Sequence, residues 1–164
     1  MARRIEHRTT SRWPARDVYA ALVNETYLRD RLAELGGTDP KLVAFTTTDA
    51  STSYQLRQGV PADKLPSVAR GLLGGDLVID RAESWTEAGY AGTVEVTLTG
   101  VPGRLDGTIT LADTANGSEL TLTGQVKVGI PLMGGKLEAM IAEQVALLLD
   151  KETEFTAEWL ARRA

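Results

Sequence analysis

The chain has 164 residues, 43% of them hydrophobic, with no cysteine, one histidine, and 22 acidic against 18 basic side chains for a formal charge of -4. That length suits one domain over residues 1–164 with roughly two-thirds of its unfolded surface buried, and the lack of cysteine excludes disulfides, thiolate nucleophiles and cysteine-held metals. The acidic balance argues against nucleic acid as a partner; with no apolar run of roughly 18 residues and no apolar segment in MARRIEHRTTSRW to act as a secretory signal, a soluble cytoplasmic protein is expected.

The first predicted element is a strand over residues 3–10, with Ile5, His7 and Thr9 on one face because strand side chains alternate with period two. Its arginines resemble a transit peptide, but Glu6 and Asp17 interrupt them, and a solvated strand face is the better reading. Two short helices follow. Pro14 can open a helix without losing a needed amide, and Val18, Ala21 and Leu22 repeat at helical spacing. Tyr27, Leu28, Leu32 and Leu35 carry a second stripe after a joint near Asn24, and Gly36-Gly37 stops it. Residues 42–48 and 53–60, rich in Thr, Val, Phe and Tyr and separated by Asp49-Ala50-Ser51, predict a β-hairpin. Between Pro61 and Gly75 the prolines and glycines predict a loop, with a short helix whose apolar side includes Leu65, Ala69, Leu72 and Leu73.

Four strands then succeed one another over residues 77–85, 91–100, 104–112 and 119–130, an antiparallel meander. Val94, Val96 and Leu98 oppose Thr93, Glu95 and Thr97, and Leu120, Leu122, Val126 and Val128 oppose Thr121, Thr123, Gln125 and Lys127. Such alternation requires one wet and one covered face. The cover is a long helix over residues 132–163, where Leu137, Met140, Ile141, Gln144, Val145, Leu148, Glu152, Phe155 and Trp159 recur at three- and four-residue spacing.

This order of elements resembles the helix-grip fold of START-like and birch-pollen-allergen-like (SRPBCC) proteins. That is an α+β fold in which a curved seven-stranded antiparallel sheet, with two short helices after its first strand, carries a long C-terminal helix packed across it. Three stretches resemble, more specifically, a bacterial family within that superfamily, domain of unknown function 2505. They are Pro14-Ala15 with Asp17-Val18-Tyr19-Ala20-Ala21-Leu22, then Glu83-Ser84-Trp85-Thr86, and, most specific, Val126-Lys127-Val128-Gly129-Ile130-Pro131-Leu132-Met133-Gly134-Gly135-Lys136-Leu137-Glu138. The resemblance implies a deep, mainly apolar cavity between sheet and helix, used by relatives for lipids, sterols, polyketides or plant hormones. It transfers no catalytic residue.

An apolar pocket orients its ligand with a few polar groups, so inward polar residues are the candidates. Tyr54 and Gln58 share parity with Leu56, Arg81 and Glu83 share parity with Ile79 and Trp85, and Gln144 and Glu152 lie on or beside the helix stripe. Trp85 joins them as a ligand-binding candidate. The plainer alternatives are a mutually satisfied pair or solvent contact for Arg81 and Glu83, and the wet flank of the helix for Glu152. Glu138, Glu143, Glu152, Glu154 and Glu158 together read as a solvated face. Inward glycines such as Gly59, Gly107 and Gly124 either leave room for a ligand or only curve the sheet.

With His7 the only histidine, a catalytic triad or multi-histidine metal site is hard to build, and no Asp/Glu cluster has ligand spacing. No catalytic residue, metal or cofactor is expected. Gly134-Gly135-Lys136 fails as a phosphate loop because Leu137 occupies the hydroxyl position. Leu132 and Met133, with Leu72 and Leu73, would form an apolar portal if the two loops share one end of the fold, with transient membrane contact. The expected function is non-enzymatic binding or carriage of a small hydrophobic or amphipathic ligand (lipid, isoprenoid or polyketide). The alternatives are a cyclase- or hydrolase-type enzyme using the same cavity, and a protein-interaction module with a filled core.

Overall fold

Alternating apolar and polar side chains pair the strands into one antiparallel sheet in the order β1-β7-β6-β5-β4-β3-β2. The structure, a computed structural model, describes residues 2–164, the side chain of Val68 excepted. In chain order the elements are β1 (Arg3–Ser11), α1 (Ala15–Leu22), α2 (Glu25–Leu35), β2 (Lys41–Thr47), β3 (Ser51–Val60), α3 (Ser67–Leu73), β4 (Leu77–Thr86), β5 (Ala91–Leu98), β6 (Gly103–Thr114), β7 (Gly117–Val128) and α4 (Gly134–Arg163). This is the predicted helix-grip arrangement. Short 3-10 turns at Ala62–Lys64 and Ala88–Tyr90 were not legible in the pattern. The terminal helix begins two residues later than the apolar stripe suggests, because Leu132 adopts a left-handed φ of 67° that no helix continues through.

The helix starts have identifiable partners. The amide of Ala15, exposed by the start of α1 after Pro14, donates to Asp113 Oδ1 at 2.9 Å. Asn24 is the cap of α2, its side-chain oxygen accepting from the Tyr27 amide at 3.0 Å. β1 returns to the far edge of the meander and pairs with β7 from Arg3↔Val126 to Ser11↔Ser118. The long helix lies against β1, β7, α1 and α2. Its Phe155 and Trp159 pack on Tyr27 of α2, with ring centroids 5.8 and 5.2 Å away.

Gly107 and Gly124 face each other across β6 and β7. A Cβ on Gly107 would meet the Thr123 carbonyl at 2.8 Å, and one on Gly124 would meet the Gly107 Cα at 2.8 Å and run into the Asp106 carbonyl. These inward glycines therefore serve close backbone approach and not ligand space, the curvature reading of the two left open by sequence. Gly59 is likewise covered, by the backbone of Thr38. Replacing Gly124 by Ala is expected to cost about 1–3 kcal/mol through overpacking, seen as a lower urea midpoint at unchanged slope. An unchanged midpoint would mean that the strands separate freely at this point.

Candidate functional site

The antiparallel register of β3 and β4 sets Tyr54 opposite Glu83, Leu56 opposite Arg81 and Thr52 opposite Trp85. Period-two alternation then turns Tyr54, Gln58, Arg81, Glu83 and Trp85 to the inner face, and all five are buried. Four of them form one cluster. Glu83 Oε1 accepts from the Tyr54 hydroxyl at 2.9 Å and from Trp85 Nε1 at 3.0 Å, while its Oε2 accepts from Arg81 Nε at 2.5 Å. The rest of the Arg81 fork closes on Glu152 of α4, Nη1 to Oε2 at 2.7 Å and Nη2 to Oε1 at 3.1 Å. A second arginine, Arg31 of α2, brings its Nη1 to 3.6 Å from Glu152 Oε1.

Around Arg31 the proton directions follow from the donors present. Thr156 Oγ1 donates to the Glu152 carbonyl at 2.7 Å, so at the 2.5 Å contact between Tyr27 and Thr156 the tyrosine hydroxyl is the donor. The Tyr27 oxygen in turn accepts from Arg31 Nη1 at 3.5 Å. Two guanidiniums and two carboxylates are thus buried together, none more than 7% exposed, and their charges cancel.

For Glu152, Arg31, Arg81, Tyr27 and Tyr54 burial opposes ionisation, and the partners decide the outcome. For Glu152, burial pushes the carboxyl up, but Arg31 and Arg81 together hold it below its usual range. For Arg31 and Arg81, burial works against the charge and the facing carboxylates override it, so both sit above the ordinary guanidinium value. Burial and then Glu83 push Tyr54 well above the ordinary phenol range, and burial raises Tyr27 despite Arg31. At neutral pH Glu152 and both guanidiniums are charged and both phenols keep their protons. Tyr54 is a donor here and not a base.

Against this cluster lies a cavity of about 30 Å³, lined by Arg31, Arg81, Glu83 and Glu152, by hydroxyl side chains that include Thr9, Ser118 and Thr156, and by apolar ones such as Val18, Leu22, Ile109 and Leu149. That space has room for one or two water-sized groups and for nothing the size of a lipid. The deep cavity implied by resemblance is, in this conformation, closed to that size.

The other predicted residues are placed as follows. Gln58 is buried further along β3, with its Oε1 unpartnered, and does not line the cavity. Gln144 is exposed, which corrects its placement on the inner stripe: it lies about 80° round the helix from Glu152 at 3.6 residues per turn. Glu152 is corrected in the opposite sense, being 5% exposed at the centre of the inner face and not on a wet flank. Glu138 also leaves the supposed solvated face, accepting from the Val128 amide at 2.8 Å. Arg31, Tyr27 and Thr156 were missed as site residues. A signal existed for Arg31, which falls four residues after Tyr27 and three after Leu28 and so shares their buried stripe.

Both predicted portal segments lie at the end of the sheet where β3, β5 and β7 finish and β4 and β6 begin. Leu132 is wholly exposed and Leu72 is 42% exposed, while Leu73 and Met133 are half-buried. His7 bridges β1 to α4, its Nε2 2.8 Å from Asp150 Oδ1, outside the cluster. Among the described residues no group of three His, Asp or Glu is placed to hold a metal, and no helix is long and apolar enough to cross a membrane.

A family model described as protein of unknown function (DUF2505) matches residues 6–160. The chain belongs to the DUF2505 family. An uncharacterised Mycobacterium tuberculosis protein, Rv0481c, is 30% identical over 154 residues, 88% of each chain. Among solved structures, this DUF2505 protein is similar to the Zhui aromatase/cyclase from Streptomyces sp. R1128 at a TM-score of 0.65, with 13% identity over 96% of this chain and 94% of that one. It is also similar to a START superfamily protein from Mycobacterium smegmatis at a TM-score of 0.57, with 15% identity over 98% and 97% of the two chains. At such identities the likeness is one of fold: the DUF2505 chain has the helix-grip fold of these structures.

Replacing Glu152 by Ala leaves Arg31 without a carboxylate and Arg81 with Glu83 alone, and is expected to cost about 3–5 kcal/mol in urea unfolding; a loss below about 1 kcal/mol, the level of an exposed pair, would contradict the burial described. The pH dependence has a definite sign. Because the folded protein holds Glu152 below its usual range, its contribution is complete above the unfolded value and is lost as pH falls through the folded one. Acid should therefore lower the urea midpoint of the wild type more than that of Glu152→Gln, measured in parallel from neutral to acid pH.

Proposed function

We propose that this DUF2505 protein binds and carries a small hydrophobic or amphipathic molecule, of the lipid, isoprenoid or polyketide kind, between the sheet and α4. The observation that carries the reading is how unevenly the helix sits. It packs closely on β1 and β7 but not on β3, β4 or β5, so that half of the interior is spanned by side chains alone. On the sheet side Ile79, Val96 and Leu98 are only half-buried, and so are Ile141, Val145 and Leu148 of α4. An apolar interior with one compact polar cluster is the usual chemistry of a small-molecule site. Side chains can give way there without moving a backbone hydrogen bond, and α3 and the segment before α4 border the same end.

The cavity of about 30 Å³ supports a second reading, in which the interior stays filled and the domain acts through its surface. A lipophile titration separates the two, because Trp85 is 1% exposed beside the cluster and its emission responds to any change in that packing. Saturable change in Trp85 emission, preserved in Trp13→Phe and Trp159→Phe backgrounds, is expected of a carrier; a flat response across a panel of lipids, isoprenoids and polyketides belongs to the filled module. For the portal, replacing Leu72 and Leu73 by Ser should slow ligand exchange with liposomes, and unchanged exchange removes it.

A further inference from the structure

Arg31 carries a donor that the cluster does not use. Its Nη1 serves Glu152 and Tyr27, at 3.6 and 3.5 Å, while Nη2 is buried without a hydrogen-bond partner among the described residues. The residue is 2% exposed and lines the cavity. A guanidinium N–H buried in this way is an unsatisfied donor, an exception among buried polar groups that calls for an acceptor, whether an ordered water or a ligand atom. The neighbouring carboxylates are already committed. Glu83 accepts from Tyr54, Trp85 and Arg81, and Glu152 accepts both arms of the Arg81 fork.

The charge count decides what kind of acceptor fits. Arg31 and Arg81 are balanced by Glu83 and Glu152, so a carboxylate or phosphate entering this space would bring a net buried negative charge with no cation left over. A neutral oxygen meets the donor and leaves the balance intact. The cavity of about 30 Å³ is the size of one such group, and Val18, Leu22 and Leu149 supply apolar walls for what is attached to it.

We propose that Arg31 Nη2 anchors the polar end of the ligand, and that this end is a neutral carbonyl oxygen of a ketone, ester or amide and not an acid. The assignment rests on the carrier reading above. It is tested with three probes of equal chain length, methyl nonyl ketone, undecanoate and undecane, delivered from methyl-β-cyclodextrin at about pH 7, where the acid is ionised. The ketone is expected to bind about tenfold or more tightly than undecane, the return on a hydrogen bond to a charged donor. Undecanoate should bind more weakly than the ketone. In Arg31→Met the preference for the ketone over undecane should disappear.

A measurement on the wild type stands apart from any loss of folding in that variant. The carbonyl stretch of isotope-labelled methyl nonyl ketone should shift below its position in hexane when bound. Undecane and ketone binding equally, a band at the hexane position, undecanoate as the tightest probe, or a ketone preference retained in Arg31→Met would each overturn the assignment and leave the carrier reading standing. Binding of none of the three would overturn both.

Discussion

Two arginines and two glutamates sharing one buried volume set the terms for the rest of this molecule. Each charge alone would be intolerable inside, so their positions are not independent. Glu152 must come down from α4 onto the Arg81 fork, Arg31 must approach from α2, and Glu83 must be held by Tyr54 and Trp85 on neighbouring strand positions. The cluster thereby ties β3, β4, α2 and α4 together at the point where the helix stands away from the sheet. Compared with a hydrophobic plug of the same volume it adds little to stability; what it fixes is the rotation of α4 and the location of the one polar spot in the interior.

That arrangement explains which parts of the molecule could be read in advance. Val94, Val96 and Leu98 against Thr93, Glu95 and Thr97 announce a strand with one covered face, because period two depends on nothing beyond the strand itself. The same parity turned Tyr54, Arg81, Glu83 and Trp85 inward before any partner was known. Glu152 was harder. Its spacing along α4 says inside and its charge says outside, and only Arg31 and Arg81, more than 70 residues earlier in the chain, resolve the conflict. Gln144 failed for the complementary reason: it sits at the rim of the apolar stripe, where a few tens of degrees of helix rotation decide exposure and no local signal sets that rotation. The glycines were ambiguous because an absent side chain has the same appearance whether backbone or ligand fills the space.

Membership of the DUF2505 family and similarity to START-like helix-grip proteins account for the architecture without assigning a ligand. What distinguishes this interior is the combination of a small cavity with an unspent guanidinium donor. A fold that only needed a solid core would gain by replacing the charged set with packed hydrophobic side chains, as buried ion pairs elsewhere can be replaced. Retaining four charges beside a water-sized void is better matched to a site whose occupant brings one oxygen and a larger apolar body. The fully exposed Leu132, held out on a left-handed backbone just before α4, would suit entry of a ligand from that end.

Native mass spectrometry of the protein expressed in a closely related bacterial host, followed by solvent extraction of whatever co-purifies, addresses the central claim most directly. The account predicts a discrete added mass that resolves on extraction into a lipophile bearing a neutral carbonyl. A clean apo mass that persists after incubation with a panel of lipids, isoprenoids and polyketides would contradict it and leave a filled interior as the working description.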